Sequence, residues 1–258
     1  MATYERISVA RDEDVITITL TNPAKRNTLA RETMLELIDA LTQAGQSDAT
    51  GVMIAAEGSV FSAGHDFTDM SGIGFAEAKA LLDICTEMMT LVQRIPQVVL
   101  AKVHALATAA GCQLVASCDL AIAADTAGFA APGGKGGLFC HTPMVAISRA
   151  VGRKKGLEMA LTGDVIDAET ACQWGLVNRV VPADELDEAC ADLLKRATRG
   201  SAFSKAMGKH NYYVQFDLDQ KAAYEHASNV MAAGVTTNDG QEGINSFIEK
   251  RRPTWTNS

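Results

Sequence analysis

The sequence lacks the features of a nucleic-acid-binding, membrane-spanning or secreted protein. Its 23 Lys and Arg against 31 Asp and Glu give a formal net charge of −8, which argues against nucleic acid or an anionic membrane as main partner. No apolar run reaches the length of a membrane span, and the start Met1–Arg6 shows no apolar signal segment. We therefore expect a cytoplasmic chain with neither nucleic acid nor membrane as partner.

The cysteines lack the spacing of a disulfide or zinc framework. Six are scattered along 258 residues without a C-x-x-C pair, which indicates reduced and mostly buried thiols. No cluster of His, Cys and carboxylate residues has metal-ligand spacing, so we expect no metal. A G-x-S-x-G elbow is also missing, which leaves an unrelated α/β hydrolase as a poor alternative.

What the sequence does contain is an alternation of apolar strands and helices. Four short segments have the pattern of strands, namely Val15–Leu20, Gly51–Ala56, Val98–Val103 and Leu120–Ala124. Helices are expected between them, including a long one from Phe75 to Ile95 that Pro96 stops. This alternation predicts an α/β core. After Pro182 the pattern is almost wholly helical, so we divide the chain into a core, residues 1–200, and a C-terminal helical region, residues 201–258.

Two helix starts are predicted from side-chain caps. Asn27 or Thr28 is expected to cap the first helix, which would turn Leu35, Ile38 and Leu41 to one face. Thr142-Pro143 is the pattern of an N-cap followed by the first helical residue.

Two segments place small residues beside backbone N–H groups. Phe61–Asp66 follows a strand, and Ala107–Gln113 passes from a strand into a helix start. Unpaired N–H groups at a helix start suit an anion or a carbonyl oxygen that becomes one. Two such groups that converge on one oxygen would form an oxyanion hole. Tight packing between a helix and a strand would explain either segment alone equally well.

Together these segments resemble the enoyl-CoA hydratase/isomerase (crotonase) superfamily. Its S-A-G-x-D motif matches Ser62–Asp66, and its A-x-G-G-G-C-E-L…C-D motif matches Ala107–Leu114 with Cys118-Asp119. The likeness continues in order through further fragments: Phe129–Pro132, Arg149–Gly152, Leu161–Gly163, Ala171–Val177 and Glu242–Arg251. Each fragment is weakly specific, but the ordered set covers nearly the whole chain.

The resemblance implies a fold, an assembly and a site. The fold would be a spiral of ββα turns with a C-terminal helical trimerisation region, assembled as a homotrimer or homohexamer. The two oxyanion donors would be the N–H groups of His65 and Ala110. No cofactor would be bound permanently, since coenzyme A arrives as part of the acyl-CoA substrate. Its binding residues would be drawn from two regions, the Lys25-Arg26 pair with Ala63 and Asp66, and the C-terminal Phe247 and Lys250. A solvated loop would explain Lys25 and Arg26 equally well, and Asp66 is expected to cap its loop.

The sequence departs from the family at two positions. Hydratases of the family hold and activate a water with two glutamates, and these positions are occupied by Gln113 and Gly133. Gln cannot act as a base at neutral pH, and Gly has no side chain. Loss of a positioned acid or base removes about 10²–10⁴ in rate. Ordinary two-glutamate hydration is therefore not expected.

Two residues that could replace the glutamates, Cys140 and His141, lie just before the Thr142-Pro143 helix start. The positive end of that helix would favour a neutral imidazole at His141 and a more acidic thiol at Cys140. A branch of the family, the enoyl-CoA-hydratase-domain-containing proteins, has a very similar A-G-H-D…G-L-F-C-x-T-P pattern. The side chain of His65 is a further candidate. A hydrogen-bonded loop histidine and a buried small thiol are the plainer interpretations of His141 and Cys140.

Two functions of different classes follow. The first is an acyl-CoA-processing enzyme that stabilises a thioester enolate. The second is a CoA-thioester-binding protein with little catalysis, which the absence of both glutamates favours. Retention of both oxyanion segments favours the enzyme, because a binder gains little from stabilising a transition-state charge.

Overall fold

The computed structural model describes residues 3–258, and ten strands form two sheets. The strands are β1 (Ile7–Asp12), β2 (Val15–Leu20), β3 (Gly51–Ala56), β4 (Val60–Ser62), β5 (Val98–Val103), β6 (Leu106–Thr108), β7 (Leu120–Ala124), β8 (Gly128–Ala130), β9 (Ile166–Asp167) and β10 (Arg179–Val181). One sheet has the order β1-β2-β3-β5-β7-β10, and the other has the order β4-β6-β8-β9. All four strands predicted from the sequence are present with the predicted bounds.

Ten α-helices accompany the sheets in residues 3–258. They are α1 (Arg31–Gly45), α2 (Phe75–Arg94), α3 (Ala110–Ser117), α4 (His141–Val151), α5 (Arg153–Thr162), α6 (Ala168–Trp174), α7 (Leu186–Thr198), α8 (Ala202–Phe216), α9 (Gln220–Val235) and α10 (Asn238–Ile248). Helix α2 begins at the predicted Phe75 and ends at Arg94, one residue before the predicted Ile95 and two before Pro96.

The connectivity repeats a unit of two strands and one helix. In each unit the first strand belongs to the larger sheet, the second belongs to the smaller sheet, and a helix returns the chain: β3-β4-α2, β5-β6-α3 and β7-β8-α4. The first strands pair in parallel with one another, and so do the second strands. This is the expected α/β spiral of ββα turns.

The first helix is not capped as predicted. Helix α1 begins at Arg31, whose N–H donates to the Asp69 carboxylate at 2.8 Å, so its cap comes from a loop 38 residues away. The Asn27 side chain instead accepts from the N–H of Asn22. Of the residues predicted to share one face, Leu41 is fully buried and Leu35 is exposed, and Leu37 is fully buried as well.

The C-terminal helices are attached to the core by a buried ionic cluster. Lys209 of α8 lies 2.7 Å from the Asp119 carboxylate and also donates to the carbonyl oxygens of Val92 and Gln97. Tyr213 donates to the other oxygen of Asp119 at 2.8 Å. Neither α8 nor α9 contains a fully buried residue. The break between α7 and α8 falls at residues 199–201, and the division into two domains stays a prediction.

Candidate active site

The loop after β4 is held rigidly by hydrogen bonds. Ser62 is fully buried, and its hydroxyl donates to the carbonyl oxygen of Asn27 at 2.8 Å and accepts from the N–H of Gly64 at 3.2 Å. The Ala63 N–H donates to the Arg26 carbonyl at 3.0 Å. Gly64 has φ +83°, a conformation that favours glycine. These contacts fix the direction in which the next peptide N–H, that of His65, points.

The second segment leads from β6 into α3 through a strained residue. Ala109 has φ 48° and ψ −119°, in a region that residues with a side chain rarely adopt. Its N–H donates to the Ala130 carbonyl at 2.9 Å. Ala110 is then the first helical residue, where the backbone N–H has no partner within the helix.

These two segments meet although 46 residues separate Gly64 from Ala110. A Cβ placed on Gly64 would lie 3.0 Å from the amide nitrogen of Ala110, and one on Gly111 would lie 2.4 Å from the Ser62 carbonyl oxygen. Only glycine allows this approach. Within residues 3–258, the N–H groups of His65 and Ala110 donate no hydrogen bond to another backbone carbonyl, whereas those of Ala63 and Ala109 both do.

Gln113 lies one helical turn beyond Ala110. The residue is only 5% exposed, and its buried side-chain Oε1 has no hydrogen-bond partner among the described residues. It lines a cavity of about 560 Å³ bounded by α2, α3, α4 and α8. The α8 wall of this cavity, which includes Tyr212 and Phe216, carries no sequence signal that would have linked it to the site.

Gly133 lies three residues beyond the end of β8. It belongs to a short 3-10 helix, Pro132–Gly136. A Cβ there would lie 2.1 Å from the Leu138 carbonyl oxygen and 2.7 Å from the Cys140 sulfur. Its N–H donates to that sulfur at 3.3 Å. The position therefore has no room for a side chain unless the 138–140 loop moves.

The expectation of an acidic thiol at Cys140 is wrong. Helix α4 begins at His141 with Cys140 as N-cap residue, two positions earlier than the predicted Thr142 cap. Burial raises the pKa of the Cys140 thiol, and the Gly133 N–H opposes this only in part. Cys140 is therefore a neutral, buried thiol, as the plainer interpretation held.

The two candidate histidines occupy contrasting environments. Burial lowers the pKa of His65, whose Nδ1 faces the Leu29 carbonyl oxygen at 3.4 Å. Its Nε2 is buried and has no partner among the described residues. With the proton on Nδ1, the Nε2 atom carries a free lone pair. His141 is exposed, and its ring lies 5.0 Å from the ring of Phe139.

The candidate coenzyme A residues lie at the surface in two places. Lys25 and Arg26 are exposed, and Arg26 has the left-handed φ of 53°. Asp66 caps its loop as expected, since one carboxylate oxygen accepts from both the N–H and the hydroxyl of Thr68. These bonds, with a smaller effect of Lys25, lower the pKa of Asp66.

The C-terminal pair lies at the end of α10. Phe247 is 85% exposed, and Lys250 has a left-handed φ of 55°. The Lys250 N–H donates to the Phe247 carbonyl oxygen at 3.3 Å, while the Phe247 ring extends into solvent.

Comparison with known proteins identifies the family. The family model for enoyl-CoA hydratase/isomerase matches residues 10–258. The chain belongs to the enoyl-CoA hydratase/isomerase family.

Relatives of this family match almost the whole chain. The rat enoyl-CoA hydratase domain-containing protein 3, mitochondrial, is 44% identical over 97% of this chain and 84% of its own length. The crystal structure of the human domain-containing protein 3 superposes with a TM-score of 0.93 at 40% identity, covering 97% of this chain and 100% of that one. An enoyl-CoA hydratase from Mycobacterium smegmatis gives 0.94 at 40% identity, covering 97% and 99%. The resemblance to the domain-containing branch is therefore confirmed.

The described residues contain neither a membrane-spanning helix nor a metal-binding cluster. No helix within residues 3–258 combines the length and apolar character needed to cross a membrane. The same residues bring together no group of three or more His, Cys, Asp or Glu side chains that could hold a metal ion.

The name of the rat relative places that protein in mitochondria, and a cytoplasmic location for this chain stays a prediction.

Proposed function

We propose that this member of the enoyl-CoA hydratase/isomerase family processes an acyl-CoA thioester by holding its carbonyl oxygen between the N–H groups of His65 and Ala110. The observation that carries the proposal is the close approach of Gly64 to the Ala110 nitrogen, with both donors free of backbone partners. Such donors stabilise the negative charge that develops on the oxygen in an enolate or a tetrahedral intermediate. The α3 helix start adds its partial positive charge.

Coenzyme A would enter as part of the substrate. Lys25 and Arg26 are exposed cations beside the first donor segment, because the Arg26 carbonyl accepts from the Ala63 N–H. They suit the coenzyme A phosphates. Phe247 and Lys250 are the candidates for a second contact, reached in a neighbouring subunit.

Ordinary hydration with two glutamates is not part of the proposal. An amide at Gln113 cannot abstract a proton at neutral pH, and the space beside Gly133 is filled by the Leu138 carbonyl oxygen. The proposal covers double-bond isomerisation, thioester hydrolysis and other enolate reactions, which all place negative charge on the thioester oxygen. Among the ionisable side chains, His65 supports an acid/base role by its neutral, buried imidazole, and His141 by its place at the α4 start.

The second candidate is a protein that binds CoA thioesters with little turnover. It is favoured by the neutral, buried Cys140 and by the lack of space at Gly133. A panel of acyl-CoA thioesters assayed by mass spectrometry, with calorimetry on the same panel, separates the two. Tight binding without conversion of any thioester would favour the binder, and conversion of one or more would favour the enzyme.

Removal of one donor tests the oxyanion role. Ala110→Pro deletes an N–H at the first helical position, and one such donor contributes about 2.7–4 kcal/mol to transition-state stabilisation. We expect kcat for a substrate found in the panel to fall by about 10²–10³. Gln220→Pro, at the exposed first residue of α9, is the matched control and should leave kcat unchanged.

A second route to the same deletion controls for misfolding. Residues before proline avoid the conformation of Ala109, so Ala110→Pro can also disturb the turn. Replacement of Ala110 by lactic acid converts the amide to an ester and removes the N–H without a ring. Full activity in a folded ester variant would remove Ala110 from the proposed site.

A further inference from the structure

Helix α10 ends in a turn that has a lysine where glycine is usual. The N–H of Lys250 donates to the Phe247 carbonyl oxygen at 3.3 Å, and the N–H of Arg251 donates to the Ser246 carbonyl oxygen at 3.0 Å. These two bonds form a Schellman motif, whose left-handed residue is most often glycine. Lys250 occupies that position with φ 55°, which is unfavourable for a residue with a Cβ. A lysine kept there at the expense of stability indicates a role for its side chain outside the turn.

The turn is fixed by an ion pair between Arg251 and α10 itself. Arg251 forms a bidentate pair with the Glu242 carboxylate, with Nη1 to Oε1 at 2.5 Å and Nη2 to Oε2 at 2.8 Å. The N–H of Thr254 also donates to Glu242, at 2.7 Å. The bonds from Arg251, and to a smaller extent the bond from Thr254, lower the pKa of Glu242 to about 2. Because a charged bidentate pair fixes the orientation of both partners, it also restrains Lys250, which directly precedes Arg251.

The restrained turn presents two exposed side chains. The Phe247 ring is 85% exposed, and Lys250 is exposed as well. Among residues 3–258, the ion pairs at this turn join Arg251 to Glu242 and Glu249, and none involves the Lys250 ammonium group. An aromatic face and an ammonium group suit a purine ring and a phosphate, which are the chemical groups at the nucleotide end of coenzyme A.

We infer that Glu242 and Arg251 are positioning residues for coenzyme A. Their ion pair holds the turn that presents Phe247 and Lys250 to the nucleotide end of a substrate bound by a neighbouring subunit. The inference rests on the proposed function, which supplies the thioester site. It adds two residues that act through the turn and do not themselves touch the ligand. Binding of the nucleotide end and binding of the thioester can therefore be lost separately.

Two thioesters distinguish these two parts of the substrate. Butyryl-CoA and butyryl-pantetheine share the thioester and the pantetheine arm, but only the first has the adenine nucleotide. Calorimetry measures the Kd of butyryl-CoA, and ligand-observed NMR measures the weaker binding of butyryl-pantetheine. We expect Lys250→Ala to raise the Kd of butyryl-CoA about tenfold, as loss of one bond to a charged group allows. Neither Lys250→Ala nor Glu242→Gln should change the Kd of butyryl-pantetheine.

Glu242→Gln separates positioning from simple charge. The substitution removes a negative charge near the proposed phosphate contact, so Coulomb attraction alone would tighten the binding of an anionic ligand. We expect the opposite, a Kd for butyryl-CoA at least about threefold higher, because a turn that is formed about a third of the time weakens apparent binding by that factor. Arg251→Lys keeps the charge but loses the bidentate geometry, and it should weaken binding as well. Asp192→Asn, which removes the carboxylate of an exposed pair with Arg196 on α7, is the matched control and should change neither Kd.

The outcomes separate the inference from the proposed function. Unchanged or tighter binding of butyryl-CoA by Glu242→Gln would overturn the positioning role and leave the thioester site in place. Equal losses for both thioesters, or a lower oligomer mass of Glu242→Gln by light scattering, would assign the pair to folding or assembly and overturn the inference too. Failure of the wild type to bind butyryl-CoA would overturn the proposed function itself.

Discussion

At the scale of single residues, the most unusual feature of the site is Ala109. It holds φ 48° and ψ −119°, and in the family motif that this segment matches the same position carries glycine. A backbone conformation of this kind costs about 1–3 kcal/mol for a residue with a Cβ. The glycine of the family motif was the one sequence signal that could have revealed this strain. The strained Ala109 lowers the stability of the folded chain next to a proposed donor.

We therefore expect Ala109→Gly to stabilise the protein. The free energy of unfolding should rise by about 1 kcal/mol, less than the full strain because glycine also adds entropy to the unfolded chain. Denaturant unfolding at fixed protein concentration measures this change. Ala116→Gly, within α3, is the control and should lower stability by about 0.5–1 kcal/mol. A loss of stability in Ala109→Gly would contradict the strained conformation.

His65 gives the site a pH dependence of stability. Burial lowers its pKa from the ordinary 6.5, so the folded state binds the proton less readily than the unfolded state. The contribution of the neutral His65 ring to the free energy of unfolding is fully present above pH 6.5. It is lost as the pH falls from 6.5 through the lower pKa of the folded state. The free energy of unfolding should thus decrease below pH 6.5, and His65→Gln should flatten this slope. His141→Gln, at an exposed position, should leave the slope due to His65 in place. An unchanged slope in His65→Gln would refute the assignment.

At the scale of secondary-structure elements, α8 matters most because it supplies one wall of the cavity and is tied to the core by Lys209. The Lys209 and Asp119 side chains are 9% and 14% exposed, so their pair is almost removed from water. Burial lowers the pKa of Lys209, and the Asp119 carboxylate opposes that shift. The three hydrogen bonds that Asp119 accepts, from Lys209, Val99 and Tyr213, support its charge.

Removal of Lys209 should loosen this attachment. Lys209→Met leaves the Asp119 carboxylate buried with two remaining donors, and breaking a buried pair typically costs about 3–5 kcal/mol. Hydrogen exchange should show the α8 amides opening more often than in the wild type. Arg196→Met breaks the exposed pair with Asp192 and should cost less than about 1 kcal/mol. Equal effects of the two substitutions would show that the Lys209 cluster does not anchor α8.

At the scale of the whole molecule, the C-terminal helices have large apolar side chains that are exposed to solvent. Tyr224, Met231, Phe247 and Ile248 are each about 70% exposed or more. Large exposed apolar side chains on neighbouring helices are typical of an interaction site. Leu176 and Val177, between α6 and β10, pack into the core of their own chain and add no apolar surface to this set.

We expect light scattering at micromolar concentration to give three or six times the chain mass of 27.3 kDa. The double substitution Tyr224→Glu with Met231→Glu, two turns apart on one face of α9, should lower that mass. Phe75→Glu, an exposed residue at the start of α2, is the control and should not. A monomeric wild type would count against the expected trimer or hexamer.

The sequence by itself determined the elements and the family. Apolar alternation and proline placed the four predicted strands and the end of α2, because these patterns depend on neighbours a few residues away. The small residues around Gly64 and Ala110 identified the two segments that meet at the proposed oxyanion hole, since close backbone approach requires the absence of side chains.

Only the tertiary structure decided how distant segments meet. It capped α1 with Asp69 rather than Asn27, filled the space beside Gly133 with the Leu138 carbonyl oxygen, and buried Cys140 so that its thiol stays neutral. It also brought α8 against Gln113 to close the cavity. Each outcome depends on atoms far apart in the chain, and local patterns do not encode which distant groups come within a few ångströms of one another.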